Sequence, residues 1–379
     1  MKLRLMIVTP RLSGGGAERV AANLANYWAD KGWDIYLVTF TPPEPNEYPL
    51  YRHVQRLWLD HSTCSTGEPS SIAIQIQRVA QLRSYIKTYR PQVVVGIMEA
   101  ANVVVALATW GTRNTLSIGT VHTYRSLERI GKAQEIVAKY AYGWLDCVVA
   151  LTPQMQEYIL QYTKVRVVQV IPNGIILPLP DIPPQLPPYR FLPQDGKLLL
   201  CVGRLEVQKG HDLLLQSFER VAGDHPDWTL VILGEGDWRK HLEGLVQRYG
   251  LEQRVKMPGR AGNLTEWYSR ADLFVLSSRW EGFSLALAEA LAHGVPVVSF
   301  DCAYGPREVM RHNVDGLLVP AEDTEALGEA LDYLMSDADL RHRFSQRAIE
   351  ARERFSMERI ASLWEQMFAE MLERKRIQL

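Results

Sequence analysis

The feature that most restricts the fold is a recurring unit: a short, uniformly apolar run followed by a segment of helical length. In the first half the runs are Leu3–Thr9, Asp34–Phe40, Gln92–Ile97, Thr115–Val121 and Cys147–Leu151. In the second half they are Leu198–Val202, Thr229–Leu233, Leu273–Leu276 and Val295–Phe300. A strand that is apolar throughout, not alternating, is expected where helices cover both faces of a parallel sheet. The intervening segments agree: Ala17–Lys31 places Val20, Ala21, Leu24, Ala25 and Trp28 on one helical face, and His211–Val221 reads likewise. The expected fold class is α/β, with two Rossmann-like doubly wound domains.

A proline-rich tract divides the repeats. Between Leu177 and Pro193 there are seven prolines, which remove amide donors and forbid a central strand. The tract is expected to be a stiff linker, giving a first domain over 1–176, a linker over 177–193 and a second domain over 194–355. The last segment, 356–379, carries Ile360, Leu363, Trp364, Met367, Phe368 and Met371 on one stripe and is expected to pack back on the first domain. Residues 1–175 hold 18 Lys+Arg against 12 Asp+Glu, a net of +6, although the whole chain of 379 residues carries only −1. So small a total gives no general attraction to nucleic acid. Four cysteines (Cys64, Cys147, Cys201, Cys302) without a CxxC pair argue against a zinc site or disulfide framework. The expected setting is the cytoplasm. The apolar start is stopped by Pro10-Arg11, too early for a signal peptide, and no run reaches the ~18 residues of a membrane span.

In open α/β sheets ligands bind beyond the carboxyl ends of the strands, where helix N-termini point free amides outward. Four loops in such places have unusual chemistry. Gly14-Gly15-Gly16 lies between the first strand and helix; it allows close backbone approach, and an anion site is expected there. Gly203-Arg204 through Lys209-Gly210 supplies two cations suited to a diphosphate. Gly234-Glu235-Gly236 ends a strand in a tight turn. The fourth, Ser278 to Glu289, sets Glu281 in a loop and Glu289 in a helix that starts after an N-cap at Ser284 and ends at Gly294. Asp337-Ala338-Asp339 is read as a helix cap, not as a metal motif.

These motifs in this order resemble the family 4 glycosyltransferases. The resemblance rests on Gly203-Arg204…Lys209-Gly210, Gly234-Glu235-Gly236, Pro258-Gly259, the Glu281-x7-Glu289 spacing, Ala290 to Val298, and Ile171-Pro172-Asn173-Gly174 with the glycine loop at 14–16. It implies a GT-B fold, two domains facing each other across a cleft, and transfer with retention of anomeric configuration. On that resemblance Arg204 and Lys209 hold the donor diphosphate, Glu289 the ribose and Glu281 the hydroxyls of the moving sugar. Amides of Phe283, Ser284 and Leu285 meet sugar and phosphates, and backbone at Gly259 and Arg260 meets the base. His122, at a strand end, corresponds to a histidine near donor sugar and acceptor, and Glu308 belongs to a Gly-Pro-x-Glu variant of enzymes that build bacterial surface glycans.

The expected activity is movement of a hexose or N-acetylhexosamine from a nucleotide-sugar, UDP-linked by preference, to a glycan or polyprenyl-diphosphate-linked acceptor. No cofactor and no metal are expected, because fixed cations and helix amides can stabilise the departing diphosphate. Glu281 is assigned to positioning, not covalent attack. Two other readings keep the fold: a nucleotide-sugar epimerase, and a non-catalytic nucleotide-sugar-binding protein. Two basic stripes, Arg83/Lys87/Arg90 and Arg125/Arg129/Lys132, together with the +6 balance, suggest peripheral contact with anionic membrane at the inner face of the cytoplasmic membrane.

Overall fold

The computed structural model describes residues 2–59, 72–122 and 132–377, with the backbone alone over 132–136. The chain forms two compact units, Met1–Gly174 with Met357–Leu379, and Ile175–Ser356. The first contains β1 (Arg4–Thr9), α1 (Gly16–Asp30), β2 (Asp34–Thr39), β3 (Val54–Trp58), α2 (Ile72–Tyr89), β4 (Val93–Ile97), α3 (Glu99–Thr109), β5 (Leu116–Val121), α4 (Lys132–Ala141), β6 (Cys147–Ala150), α5 (Pro153–Tyr162) and β7 (Val168–Val170). Its sheet runs β3-β2-β1-β4-β5-β6-β7, and the paired strands are parallel.

The second unit contains β8 (Lys197–Val202), α6 (His211–Val221), β9 (Trp228–Leu233), α7 (Arg239–Arg248), β10 (Val255–Gly259), α8 (Leu264–Arg270), β11 (Leu273–Leu276), α9 (Leu285–Ala292) and β12 (Val297–Asp301). It continues with α10 (Pro306–Val309), β13 (Gly316–Pro320), α11 (Thr324–Ser336), α12 (Ala338–Ala348) and α13 (Ala351–Arg354). Its parallel sheet is ordered β10-β9-β8-β11-β12-β13. The chain builds outward from β8 in one direction and then returns to add β11 on the other side. The loops after β8 and β11 therefore part in opposite directions and leave a crevice at the carboxyl ends of those strands. Leu199, Cys201, Phe218, Trp228, Leu230, Val298 and Phe300 are buried in the core beside this sheet.

A last helix, α14 (Met357–Lys375), belongs to the first unit. Trp364 and Phe368 pack on Trp28, with ring centroids 6.3 and 5.5 Å away, and Trp33 stacks on Trp28 at 5.5 Å. Glu365 accepts hydrogen bonds from Trp28 Nε1 (3.1 Å) and Lys31 Nζ (2.8 Å). Burying side chains of this size contributes about 1.5–3 kcal/mol each.

Two expectations change. Segment 177–193 is not a free linker but lies within the second unit. Gly262 N donates to Pro184 O at 2.7 Å, Trp267 Nε1 to Leu186 O at 2.7 Å and Leu186 N to Asn263 Oδ1 at 2.9 Å. A Cβ at Gly262 would lie 1.6 Å from Ile182 O, so only glycine admits the segment. The Arg83/Lys87/Arg90 stripe is also not a free cationic face. The Arg83 guanidinium donates to the carbonyls of Leu107, Ala108 and Trp110, closing the C-terminal end of α3. Arg90 lies beyond the end of α2. Cys64, Arg125 and Arg129 lie outside the described residues, as does the side chain of Lys132. The helix cap at Asp337 is present: its Oδ1 accepts from Leu340 N at 2.7 Å. No helix among the described residues is long and apolar enough to cross a membrane.

Candidate active site

In the second unit the crevice between β8 and β11 is built from two loops fastened side by side. The first runs from Gly203 to Gly210 and ends in a single 3-10 turn, Val207–Lys209. The second runs from Ser277 to Ser284. Arg279 N donates to Gln208 O at 2.8 Å, Gln208 Nε2 to Trp280 O at 3.0 Å and Ser277 Oγ to Lys209 O at 3.0 Å. The Arg279 guanidinium grips both oxygens of Asp212 (2.9 and 2.7 Å) and also donates to Val207 O and Glu322. Gly210, at φ 60, completes the join, because a Cβ there would meet Ser277 O at 2.1 Å.

This clamp brings Lys209 and Glu281 together. Lys209 Nζ donates to Glu281 Oε1 at 2.5 Å, and Ser278 Oγ donates to the same oxygen at 2.8 Å. Glu281 is buried and the Lys209 side chain is mostly so. Gly203 borders the Lys209 stem, its ideal Cβ falling 3.3 Å from Lys209 Cδ. Gly305, just ahead of α10 and Glu308, packs 3.2 Å from Glu281 Cβ by the same measure. Arg204 is not part of the cluster: exposed, it pairs with Glu206 at 3.0 Å.

Ser284 and Phe283 precede α9. The first amides of a helix, here those that open α9, have no acceptor within the helix. Ser284 occupies the N-cap position but at φ 59, and its side chain makes no capping bond. Its Oγ is buried with no hydrogen-bond partner. Phe283 is fixed by an edge-on contact with Phe355 at 5.2 Å. One turn into α9, Glu289 is buried and its Oε2 accepts from Tyr268 Oη at 3.2 Å.

Beside these loops the glycines at 203, 234 and 259 are interlocked. Gly203 N donates to Leu233 O and Gly234 N to Gly259 O. A Cβ at Gly234 would sit 1.9 Å from Gly203 O. Gly259 and the half-buried Arg260 thus adjoin the 234–236 turn, whose Glu235 is held by Arg239.

His211, which sequence reasoning passed over, supports the first loop from beneath. Burial pushes its pKa down to about 4, and the backbone acceptor at Arg204 O (3.1 Å) opposes only part of that. The neutral ring donates Nε2–H to Arg204 O and accepts a weak hydrogen bond from the Cys201 thiol at Nδ1, 3.6 Å away. Burial also raises the Cys201 thiol to about 12.

In the first unit His122 ends β5 and its Nε2 lies 3.0 Å from Thr120 Oγ1. Thr120 Oγ1 donates to Gly96 O, so it accepts from the imidazole. Desolvation pushes His122 down to about 4, leaving a neutral ring with Nδ1 as an acceptor. Asn102 braces the strand end, bonding Thr120 N, Thr120 O and Tyr142 Oη. The glycine loop is different from expectation. Gly15 is the N-cap of α1, and Glu18 folds over it, its Oε2 2.3 Å from where a Cβ would be. Glu18 is buried and paired with Arg11 at 3.3 Å. A carboxylate already at this helix start opposes an anion, so the loop at Gly14, Gly15 and Gly16 suits neutral hydroxyls better than phosphate. Among the described residues no group of three or more His, Cys, Asp or Glu side chains is placed to hold a metal ion.

Comparison with known proteins decides the family. Residues 14–177 match the family model Glycosyltransferase Family 4, and residues 187–351 match glycosyl transferases group 1. The chain belongs to the family 4 glycosyltransferases. The amylovoran biosynthesis glycosyltransferase AmsD of Erwinia amylovora is 26% identical to this glycosyltransferase over 365 residues, 95% of this chain and 98% of AmsD. An exopolysaccharide phosphotransferase of Streptomyces coelicolor is 35% identical over 237 residues, and there the glycosyltransferase spans 24% of the relative's length. Among solved structures, Anabaena HepE in complex with UDP and glucose has a TM-score of 0.77 at 18% identity, covering 97% of this chain and 99% of that one. The likeness is one of fold: two parallel, Rossmann-like sheets of the GT-B type.

Proposed function

We propose that this glycosyltransferase moves a hexosyl or N-acetylhexosaminyl group from a UDP-sugar to a glycan or lipid-linked acceptor, with retention and without a metal ion. The observation that carries the reading is the Lys209–Glu281 pair, held at the crevice between β8 and β11 beside the start of α9. A diphosphate entering there meets the Lys209 ammonium and the amides of Phe283, Ser284 and Leu285 at the start of α9. Lys209 then exchanges part of its bond to Glu281 for phosphate oxygens, and Glu281, still held by Ser278, turns an oxygen to the sugar hydroxyls. Arg204 reaches the diphosphate only by leaving Glu206. Glu289 holds the ribose, Gly234 and Gly259-Arg260 border the base, and Glu308 adds a contact to the sugar.

In the reaction the anomeric carbon–oxygen bond to the diphosphate breaks as the acceptor oxygen bonds to the same face. The departing phosphate oxygen takes the acceptor's proton. Negative charge grows on the leaving group, where Lys209 and the α9 amides are already oriented; such preorganisation is the main source of rate. On the first unit, His122 and the loop at Gly14–Gly16 hold acceptor hydroxyls. AmsD, named for amylovoran biosynthesis, supports a polysaccharide product, and HepE, solved with UDP and glucose, supports the UDP preference. The setting proposed is the cytoplasm, at the inner face of the membrane where a lipid-linked acceptor is presented.

A thermal-shift panel of UDP-, GDP- and ADP-sugars tests this, since a ligand that binds the native state raises the midpoint. A UDP-sugar is expected to shift the parent protein and not Lys209→Ala. No shift with any nucleotide-sugar would overturn the donor site. Activity lost to a chelator and restored by magnesium would overturn the metal-free mechanism.

A further inference from the structure

In a parallel sheet every loop that enters a strand lies at the same end, opposite the ligand crevice. Strands β5, β6 and β7 are neighbours, so the chain ahead of each converges on one edge of the first unit. Each approach carries an exposed aromatic: Trp110 ahead of β5 (61% exposed), Trp144 ahead of β6 (45%) and Tyr162 ahead of β7 (49%). The Trp110 and Trp144 rings stack at 5.5 Å with 25° between their planes. Two stacked tryptophans this exposed leave a continuous apolar surface in water, a mark of an interaction site.

The exposed charges of these loops are basic. Arg113 and Lys164 are exposed in the same loops. The basic end of α14 arrives here too, because Lys375 Nζ donates to Thr115 O at 2.7 Å and to Asp146 Oδ2 at 2.6 Å. Asp146 is the one acidic residue in the segments 110–115, 142–146 and 163–167, and Lys375 neutralises it. Exposed Arg376 follows directly.

We propose that this edge rests on an anionic lipid bilayer. Indole and phenol rings settle at the level of the headgroups, and arginine and lysine gain from anionic lipid within a Debye length. A second copy of the chain is a poorer occupant, because a two-fold contact would set Arg113 and Lys164 against like charges. The inference deepens the membrane part of the proposed function and is independent of the donor chemistry. It has a geometric consequence. At about 3.3 Å per residue β5, with six residues, spans about 20 Å, and the shorter β6 and β7 about 10–13 Å, so the ligand end of the sheet stands off the bilayer by about 10–20 Å. The reaction would then be served by outer sugars of a lipid-linked glycan, not by groups next to its lipid.

The test is flotation of the full-length protein with vesicles of phosphatidylcholine alone and of phosphatidylcholine with phosphatidylglycerol. Binding to the anionic vesicles is expected, falling with salt. The variants Trp110→Ser/Trp144→Ser and Arg113→Glu/Lys164→Glu should each lower the partition coefficient at least about tenfold. Tyr189→Ser, which removes an exposed tyrosine of the second unit, should leave it unchanged. The midpoint of unfolding and its shift by UDP-sugar, read on the same variants, report the fold and the donor site separately. Patch variants that bind like the parent would overturn the assignment of this edge. A parent that ignores phosphatidylglycerol would overturn membrane docking altogether. A concentration-dependent dimer lost in the patch variants would give the surface to a second copy.

Discussion

Replacing Ser284 by glycine should make the protein more stable and a worse enzyme. At φ 59 the residue sits where a side chain costs about 1–2 kcal/mol. Its hydroxyl, on a residue only 8% exposed, has no partner, which costs about 1 kcal/mol or more. Ser284→Gly removes both penalties and gives back about 0.5–1 kcal/mol in unfolded-chain entropy. The net is a gain of about 2 kcal/mol, which for a unit of this size raises the midpoint by about 4–8 °C. Ser284→Ala removes the hydroxyl and keeps the strained backbone, so it should gain only about 1 kcal/mol. If that hydroxyl is reserved for a donor oxygen, both variants lose affinity for UDP about tenfold, the worth of a hydrogen bond to a charged group. Differential scanning calorimetry with titration calorimetry reads the two effects together. A lowered midpoint in Ser284→Gly, or unchanged UDP affinity in both variants, would refute the reasoning.

Lys209→Ala and Glu281→Ala should each reduce turnover at least about tenfold, or 1.4 kcal/mol of barrier, and should destabilise the fold by leaving one charge buried; Lys209→Met/Glu281→Gln should regain stability in urea without regaining turnover. Arg279→Ala should cost about 2 kcal/mol and raise the donor KM more than it lowers kcat, because it frees one loop from the other; equal effects on both constants would count against a positioning role. Stability should fall as pH drops from 6.5 toward 4. In that window the unfolded chain binds a proton at His211 that the folded chain refuses until about pH 4. The loss, about 3 kcal/mol from this residue, should level off below pH 4, and urea midpoints in His211→Gln should show a shallower slope.

The interior of each sheet was legible in the sequence and the edges were not. Val54–Trp58, Val168–Val170, Val255–Gly259 and Gly316–Pro320 escaped sequence reading, and they are the outer strands of the two sheets. A central strand such as Val93–Ile97 is buried at every position and announces itself as an apolar run. An edge strand such as Val54–Trp58 has exposed positions and reads like a loop. Pro258 lies in β10, at an edge where a missing amide is tolerated. At the candidate site the residues on glycine-bearing motifs were legible, Lys209 and Glu281 among them. Their supports were not. Ser278, Tyr268 and the Arg279–Asp212 clamp are common residue types whose meaning comes from partners far along the chain. The same blindness to partners left three contacts unforeseen. Arg204 is paired with Glu206, Arg83 is used by α3, and Glu18 occupies the helix start at Gly15.

Because α14 returns to the first unit, the second unit is an insertion within it. It leaves after Gly174 and comes back at Met357, where Ile175 N bonds Phe355 O at 2.8 Å and the two crossings run as neighbours. Genetically it is a cassette of contiguous codons, exchangeable at two adjacent seams. The first unit has no such freedom, since its fold is finished only by α14, which is made after the whole of the second unit. A nonsense mutation ahead of α14 would therefore spare the second unit and strip Trp28 and Trp33 of their cover.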